Sequence, residues 1–154
     1  MFKTIIAMYL GLSMILTYFG CNPINNKLKI IYWKDTLNVA SGFNHITVDI
    51  GIGFDESTDF LGYLDSELIK TLNCKTDYSL GKCMDTYNKS KIASFHIGSI
   101  DSIGGKFLTL IINKEYVKIK LPANIKEYNK LTISKEDGIY IANFINSSEI
   151  ILLE

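Results

Sequence analysis

The sequence of 154 residues lacks arginine entirely, and its 16 lysines are balanced by 16 acidic residues. Arginine binds phosphate and carboxylate groups through two parallel hydrogen bonds, whereas lysine acts only as a point charge. Nucleic-acid-binding domains normally also have a basic face. The formal net charge of zero does not favour such a face here. The composition therefore predicts no nucleic-acid partner.

Motifs for catalysis and cofactor binding are also missing. The chain has two histidines, His45 and His96, and each lies in a strand-like context without a second imidazole or carboxylate at ligand spacing. No Ser-His-Asp signature or phosphate-binding loop is present. The sequence therefore predicts no catalytic residue, no metal ligand and no cofactor.

The first 20 residues have the order of a secretory signal peptide. Lys3 gives a positive start, residues 4–20 carry no charge, and Cys21 stands where the polar sequence begins. Gly20 and Cys21 resemble the lipobox of bacterial lipoprotein precursors, although the two residues before Gly20 are bulkier than the family pattern. The resemblance implies cleavage before Cys21 and its acylation, palmitate included. More than one acyl chain would hold the protein on its membrane.

Two alternatives remain for this segment: an uncleaved membrane anchor at residues 4–20, or an ordinary secretory signal. The lipoprotein reading places the mature protein in the bacterial cell envelope, facing the periplasm or the outside. Residues 21–27 then form the lipidated cysteine and a short tether. Since no linker interrupts the remainder, residues 28–154 are expected to form a single β-rich domain.

Cys74 and Cys83 are the other two cysteines. An exported protein folds in an oxidising compartment, where such a pair closes into a disulfide. Two reduced, buried cysteines are the alternative. Zinc binding is not expected, because no second cysteine or histidine pair accompanies them. We expect the disulfide.

Apolar and polar residues alternate along most of the mature chain, which is typical of strands with one buried face. The expected strands are residues 28–33, 46–54, 93–97, 107–112, 116–121, 131–134, 139–144 and 149–153. Between two of them, Asp137-Gly138 predicts a tight hairpin turn.

Residues 58–73 follow a different pattern. Apolar residues recur there at three- and four-residue spacing: Phe60, Leu61, Leu64, Leu68 and Leu72. This period predicts a helix with one buried face. The expected fold is therefore mainly β, an antiparallel β-sandwich or a partly open barrel, with one packed helix at about residues 58–73.

A polar stretch between residues 74 and 91 is the candidate binding surface. Tyr78, Leu80 and Tyr87 are its candidate contact residues, because tyrosine offers a large contact area at a small entropic cost. The alternative is that these side chains only pack locally. The leading functional hypothesis is a non-catalytic binding or structural module, tethered to the membrane, whose partner is another envelope protein or a glycan.

Two other functions stay open. One is a carrier that holds a small ligand or an acyl chain in a β-barrel cavity. The other is an envelope hydrolase, which requires acidic and basic groups such as Asp49, Asp101 and His96 to converge in three dimensions.

Overall fold

The computed structural model describes residues 27–34 and 42–147. The predicted signal peptide, Cys21 and the strand expected at residues 149–153 lie outside these ranges. The described elements, in chain order, are strands β1 (Leu28–Lys34), β2 (His45–Ile50), β3 (Thr58–Leu64), β4 (Glu67–Asp77), β5 (Lys82–Asp85) and β6 (Ser94–Ser99), helix α1 (Ile100–Ile103), strands β7 (Phe107–Ile112) and β8 (Glu115–Lys120), a 3-10 turn (Ile125–Glu127), and strands β9 (Lys130–Glu136) and β10 (Ile139–Asn146).

The strands form two five-stranded sheets. The first has the order β1-β10-β9-β2-β6, with β1 parallel to β10 and β2 parallel to β9. The second has the order β5-β4-β3-β7-β8 and is antiparallel throughout. The two sheets do not close into a barrel. The prediction of a mainly β, sandwich-like fold is therefore confirmed.

One hydrophobic core lies between the sheets and draws side chains from both. Alternate residues of β2, for example, are fully buried: Ile46, Val48 and Ile50. Burying one such side chain contributes about 1.5–3 kcal/mol. The alternation predicted from the sequence thus gives each sheet one inner face. The outer faces carry polar groups together with some exposed apolar and aromatic side chains, such as Phe107, Tyr116 and Ile139.

The prediction of a helix at residues 58–73 is wrong. Those residues belong to β3 and β4, which pair as a hairpin with Phe60 opposite Leu72. The apolar spacing that resembles a helix comes from two alternating runs separated by a turn at residues 65 and 66, and Leu68 is exposed. Pairing with β7, where Phe60 lies opposite Ile112, fixes β3 as a central strand and overrides the local pattern.

Tight turns connect the later strands. Asp137 and Gly138 join β9 to β10 with φ angles of 49° and 78°. Positive φ at both positions is typical of a type I′ turn, so the predicted hairpin is confirmed. Asn113 and Lys114 make a turn of the same kind between β7 and β8, with φ angles of 45° and 73°. Among the described residues, no helix is long and apolar enough to cross a membrane.

Candidate functional site

A disulfide bond joins the two neighbouring strands β4 and β5. Cys74 lies opposite Asp85 and Thr76 lies opposite Cys83, so the two cysteines are diagonal neighbours whose Cα atoms are 5.8 Å apart. Both are fully buried in the core. The predicted disulfide is thus confirmed, and it ties together the base of the hairpin that carries the candidate contact residues.

The turn at the end of β4 is held by one aspartate. Asp77 Oδ1 accepts hydrogen bonds from the Ser79 backbone N–H at 2.9 Å and from the Ser79 hydroxyl at 2.5 Å. The Leu80 N–H donates to the Asp77 carbonyl oxygen at 3.2 Å. The hydrogen bond from the Ser79 side chain is the main cause of the lowered pKa of Asp77. The turn is therefore ordered by its own residues, while Leu80 remains exposed.

The side chain of Tyr78 is held by a residue from a different part of the chain. Its hydroxyl donates a hydrogen bond to Asp55, which raises the pKa of Tyr78 and keeps the phenol protonated. Asp55 is held near the turn because its neighbour Phe54 exchanges two hydrogen bonds of 2.8 Å with Thr76. The Tyr78 side chain is thereby oriented although most of it is exposed. Nothing in the local sequence indicates this role of Asp55, since the contact joins distant residues.

The loop that follows β5 has a similar internal order. The Asp85 carboxylate accepts hydrogen bonds from the backbone N–H groups of Tyr87, at 2.8 Å, and Asn88, at 3.1 Å. The Asp85 N–H donates to the Lys91 carbonyl at 2.9 Å and closes the loop. Tyr87 stands on this closed loop with 89% of its surface exposed. A large aromatic side chain is thus presented to solvent on an ordered backbone.

An open groove of about 370 Å³ lies between the two turns. Its lining residues are Lys75, Thr76, Asp77, Tyr78, Met84, Asp85, Thr86 and Lys89. The groove thus combines an aromatic ring and a thioether with two lysines and two aspartates. We call this groove, together with the exposed side chains of Tyr78, Leu80 and Tyr87, the hairpin surface.

Comparison with known proteins gives no further indication for this surface. No family model, curated protein or solved structure matches the chain. In the part of the chain that the structure describes, no group of three or more His, Cys, Asp or Glu residues is arranged to hold a metal ion. The hairpin surface presents apolar, aromatic and charged groups to solvent.

The residues considered for a hydrolase occupy two different places. Asp49 and His96 lie on the outer face of the first sheet, on the neighbouring strands β2 and β6. Asp49 pairs with Lys130 at 3.2 Å. Asp101 belongs to α1 and pairs instead with Lys126 at 2.6 Å. Each carboxylate is therefore engaged by its own lysine, and the structure does not assemble these residues into an acid–base cluster.

A second opening, of about 350 Å³, exposes a cluster that the sequence did not indicate. The Tyr140 hydroxyl donates to Glu115 Oε2 at 2.7 Å and accepts from Lys135 Nζ at 3.2 Å. Burial and the bond to Glu115 strongly raise the pKa of Tyr140, and the same bond is the main cause of the lowered pKa of Glu115. The phenol therefore stays protonated and does not serve as a base near neutral pH. The cluster links one sheet to the other.

Proposed function

We propose that this protein is a membrane-tethered lipoprotein of the bacterial envelope and acts as a non-catalytic binding module through its hairpin surface. The observation that carries the proposal is the exposure of Tyr78, Leu80 and Tyr87, by 63%, 58% and 89%, on turns that are internally hydrogen-bonded. Exposed aromatic and aliphatic side chains on an ordered backbone are typical of contact surfaces.

The two turns of the hairpin surface are ordered before any partner binds, which supports a binding role rather than a merely structural one. Loops that are flexible before binding lose conformational entropy when a partner orders them. At the hairpin surface, Asp77 and Asp85 fix the two turns, and the disulfide joins the strands behind them. A partner therefore meets a backbone that needs little further ordering.

The groove indicates the kind of group that fits. Tyr78 and Met84 offer apolar contact, and Lys75 and Lys89 lie near two aspartates. An apolar or aromatic group of a partner, flanked by polar groups of either sign, would complement this lining. Both a protein segment and a glycan provide such groups, because sugar rings also stack on tyrosine.

The tether supports an envelope partner. The six residues between Cys21 and β1 reach about 20 Å when fully extended. A domain acylated at Cys21 would therefore remain close to its membrane. Its partner would be another component of the same envelope, within that reach.

Tethering is tested by replacing Cys21 with serine in the producing cell. We expect the wild-type protein in the membrane fraction, with an intact mass that begins at Cys21 and includes added acyl chains. We expect the C21S variant to lose both the acyl mass and cleavage before residue 21. An uncut, unacylated wild-type chain would contradict the lipoprotein proposal and favour an anchor at residues 4–20.

Binding is tested by placing a photo-crosslinking amino acid at position 87 in intact cells. The matched control is position 116, because Tyr116 is 62% exposed and belongs to β8, at the other edge of the same sheet. We expect cross-linked products from position 87 that are weaker or absent from position 116. Protease treatment then distinguishes a protein partner from a glycan. Equal products from both positions, or none from either, would contradict a role for the hairpin surface.

A further inference from the structure

The only two histidines of the chain lie side by side on the outer face of the first sheet. His45 is on β2 and His96 is on the antiparallel neighbour β6, and their ring centroids are 4.1 Å apart. A bulge at Gly98 shifts the pairing next to His45, so that His45 lies opposite Ser99. Bulges commonly re-aim a side chain. The pairing of β2 with β6 that joins the two residues is long-range, so their spacing in the sequence does not reveal it.

The surroundings of the pair suit a ligand role. Thr47, which lies opposite His96, places its hydroxyl oxygen 3.2 Å from His96 Nδ1. Such a bond orients an imidazole ring and directs its other nitrogen, Nε2, to a ligand. Asp49 lies farther along β2 and pairs with Lys130. Both histidines are exposed, so an ion reaches them from solvent.

The two ring centroids are 4.1 Å apart, so the pair brings two nitrogen ligands to one place on the sheet surface. Neutral imidazole is the form that binds metal ions.

We infer that His45 and His96 form a two-imidazole site for a divalent transition-metal ion, with water completing the coordination. Imidazole suits copper, nickel and zinc, whereas calcium and magnesium require oxygen ligands. Because the two rings are this close, small side-chain rotations would allow one nitrogen of each ring to bind the same metal ion at about 2 Å. Among the described residues no third ligand joins them, so the site is open and exchangeable. Cu²⁺ is expected to bind most tightly.

The test uses the intact chain, purified without an affinity tag, and Cu²⁺ alone as the probe. Electron paramagnetic resonance of the wild-type protein should show one Cu²⁺ coupled to two imidazole nitrogens. Titration should show at least about a tenfold loss of affinity in H45Q and in H96Q, since even the loss of an outer-shell partner costs about 10–100-fold. Ca²⁺ should neither bind nor displace Cu²⁺.

Asp101→Asn is the matched control, because it removes an exposed carboxylate that pairs with Lys126 and leaves both histidines in place. This variant should bind Cu²⁺ as the wild type does. A wild-type spectrum with one imidazole nitrogen or none would overturn the inference, whatever the variants do. Equal Cu²⁺ affinity of the wild type and the H45Q/H96Q double variant would overturn it as well.

Discussion

Replacing Gly53 by alanine should disrupt the backbone just after β2, where it still runs beside β9. Gly53 has a φ of +98°, and a Cβ atom placed there would lie 1.8 Å from the carbonyl oxygen of Lys135. The two segments are held together there by hydrogen bonds from Gly51 N to the Ile133 carbonyl at 2.7 Å and from Lys135 N to the Ile52 carbonyl at 3.0 Å. Because the clashing atom is backbone, it moves only if these bonds are disturbed.

The expected magnitude has two parts. A non-glycine residue at a positive φ costs about 1–2 kcal/mol, and overpacking a tightly filled site costs about 1–3 kcal/mol more. We therefore expect Gly53→Ala to lower the free energy of unfolding by about 2–5 kcal/mol. A loss of this size is a large fraction of the stability of an ordinary domain.

Gly105→Ala is the matched control, because Gly105 also has a positive φ, of +78°, but a Cβ atom there meets nothing within 4 Å. It should lose only the first part, about 1–2 kcal/mol. Urea unfolding at 25 °C, with the slope checked for constancy, measures both variants. If the two variants differ by less than about 0.5 kcal/mol, which is the scatter expected of independent sites, the close approach of Gly53 to Lys135 does not constrain the fold.

Two further predictions concern the links within the sandwich. The first is that reducing the bond between Cys74 and Cys83 should lower the free energy of unfolding by about 2.7 kcal/mol, the value for a closed loop of about ten residues. The bond is reduced in denaturant, and the protein is refolded with reductant present. Equal urea midpoints for the oxidised and reduced protein would contradict a stabilising role. Tyr140→Phe should cost about 1–2 kcal/mol near pH 7, because it removes the hydrogen bond that lowers the pKa of Glu115. The loss of stability caused by Tyr140→Phe should become smaller as the pH falls through the folded-state pKa of Glu115, because the carboxylate is then protonated and the bond weakens. A loss that does not change with pH would mean that packing alone causes it.

The failed helix prediction has a specific physical cause. Phe60, Leu64, Leu68 and Leu72 have a helical spacing, yet in the structure burial alternates at period two, from Thr58 to Gly62 and from Leu72 to Thr76. Short segments of this kind are compatible with either structure, and burial in the tertiary fold decides. Gly62 faces the core there, where a Cβ atom would lie 3.3 Å from Phe95 Cζ. Contact with the opposite sheet thus favours the strand.

The candidate site was partly visible in the sequence. The position of Tyr78 and Tyr87 near two cysteines in a polar stretch indicates a contact surface, and the structure shows both exposed on ordered turns. The contact of Tyr78 with Asp55, and the groove itself, were not visible. They depend on how residues before β3 lie against the end of β4.

The sequence by itself determined local features: the alternation that gives strands such as β2, β8 and β10 a buried face, the Asp137-Gly138 turn, and the short loop between Cys74 and Cys83. These features follow from neighbouring residues, whose sterics and spacing do not depend on the rest of the chain. Only the tertiary structure decided that β1 runs parallel to β10, that β2 runs parallel to β9, and that His45 meets His96. Such pairings join distant segments, and the burial of a shared core selects among many arrangements that are locally equivalent.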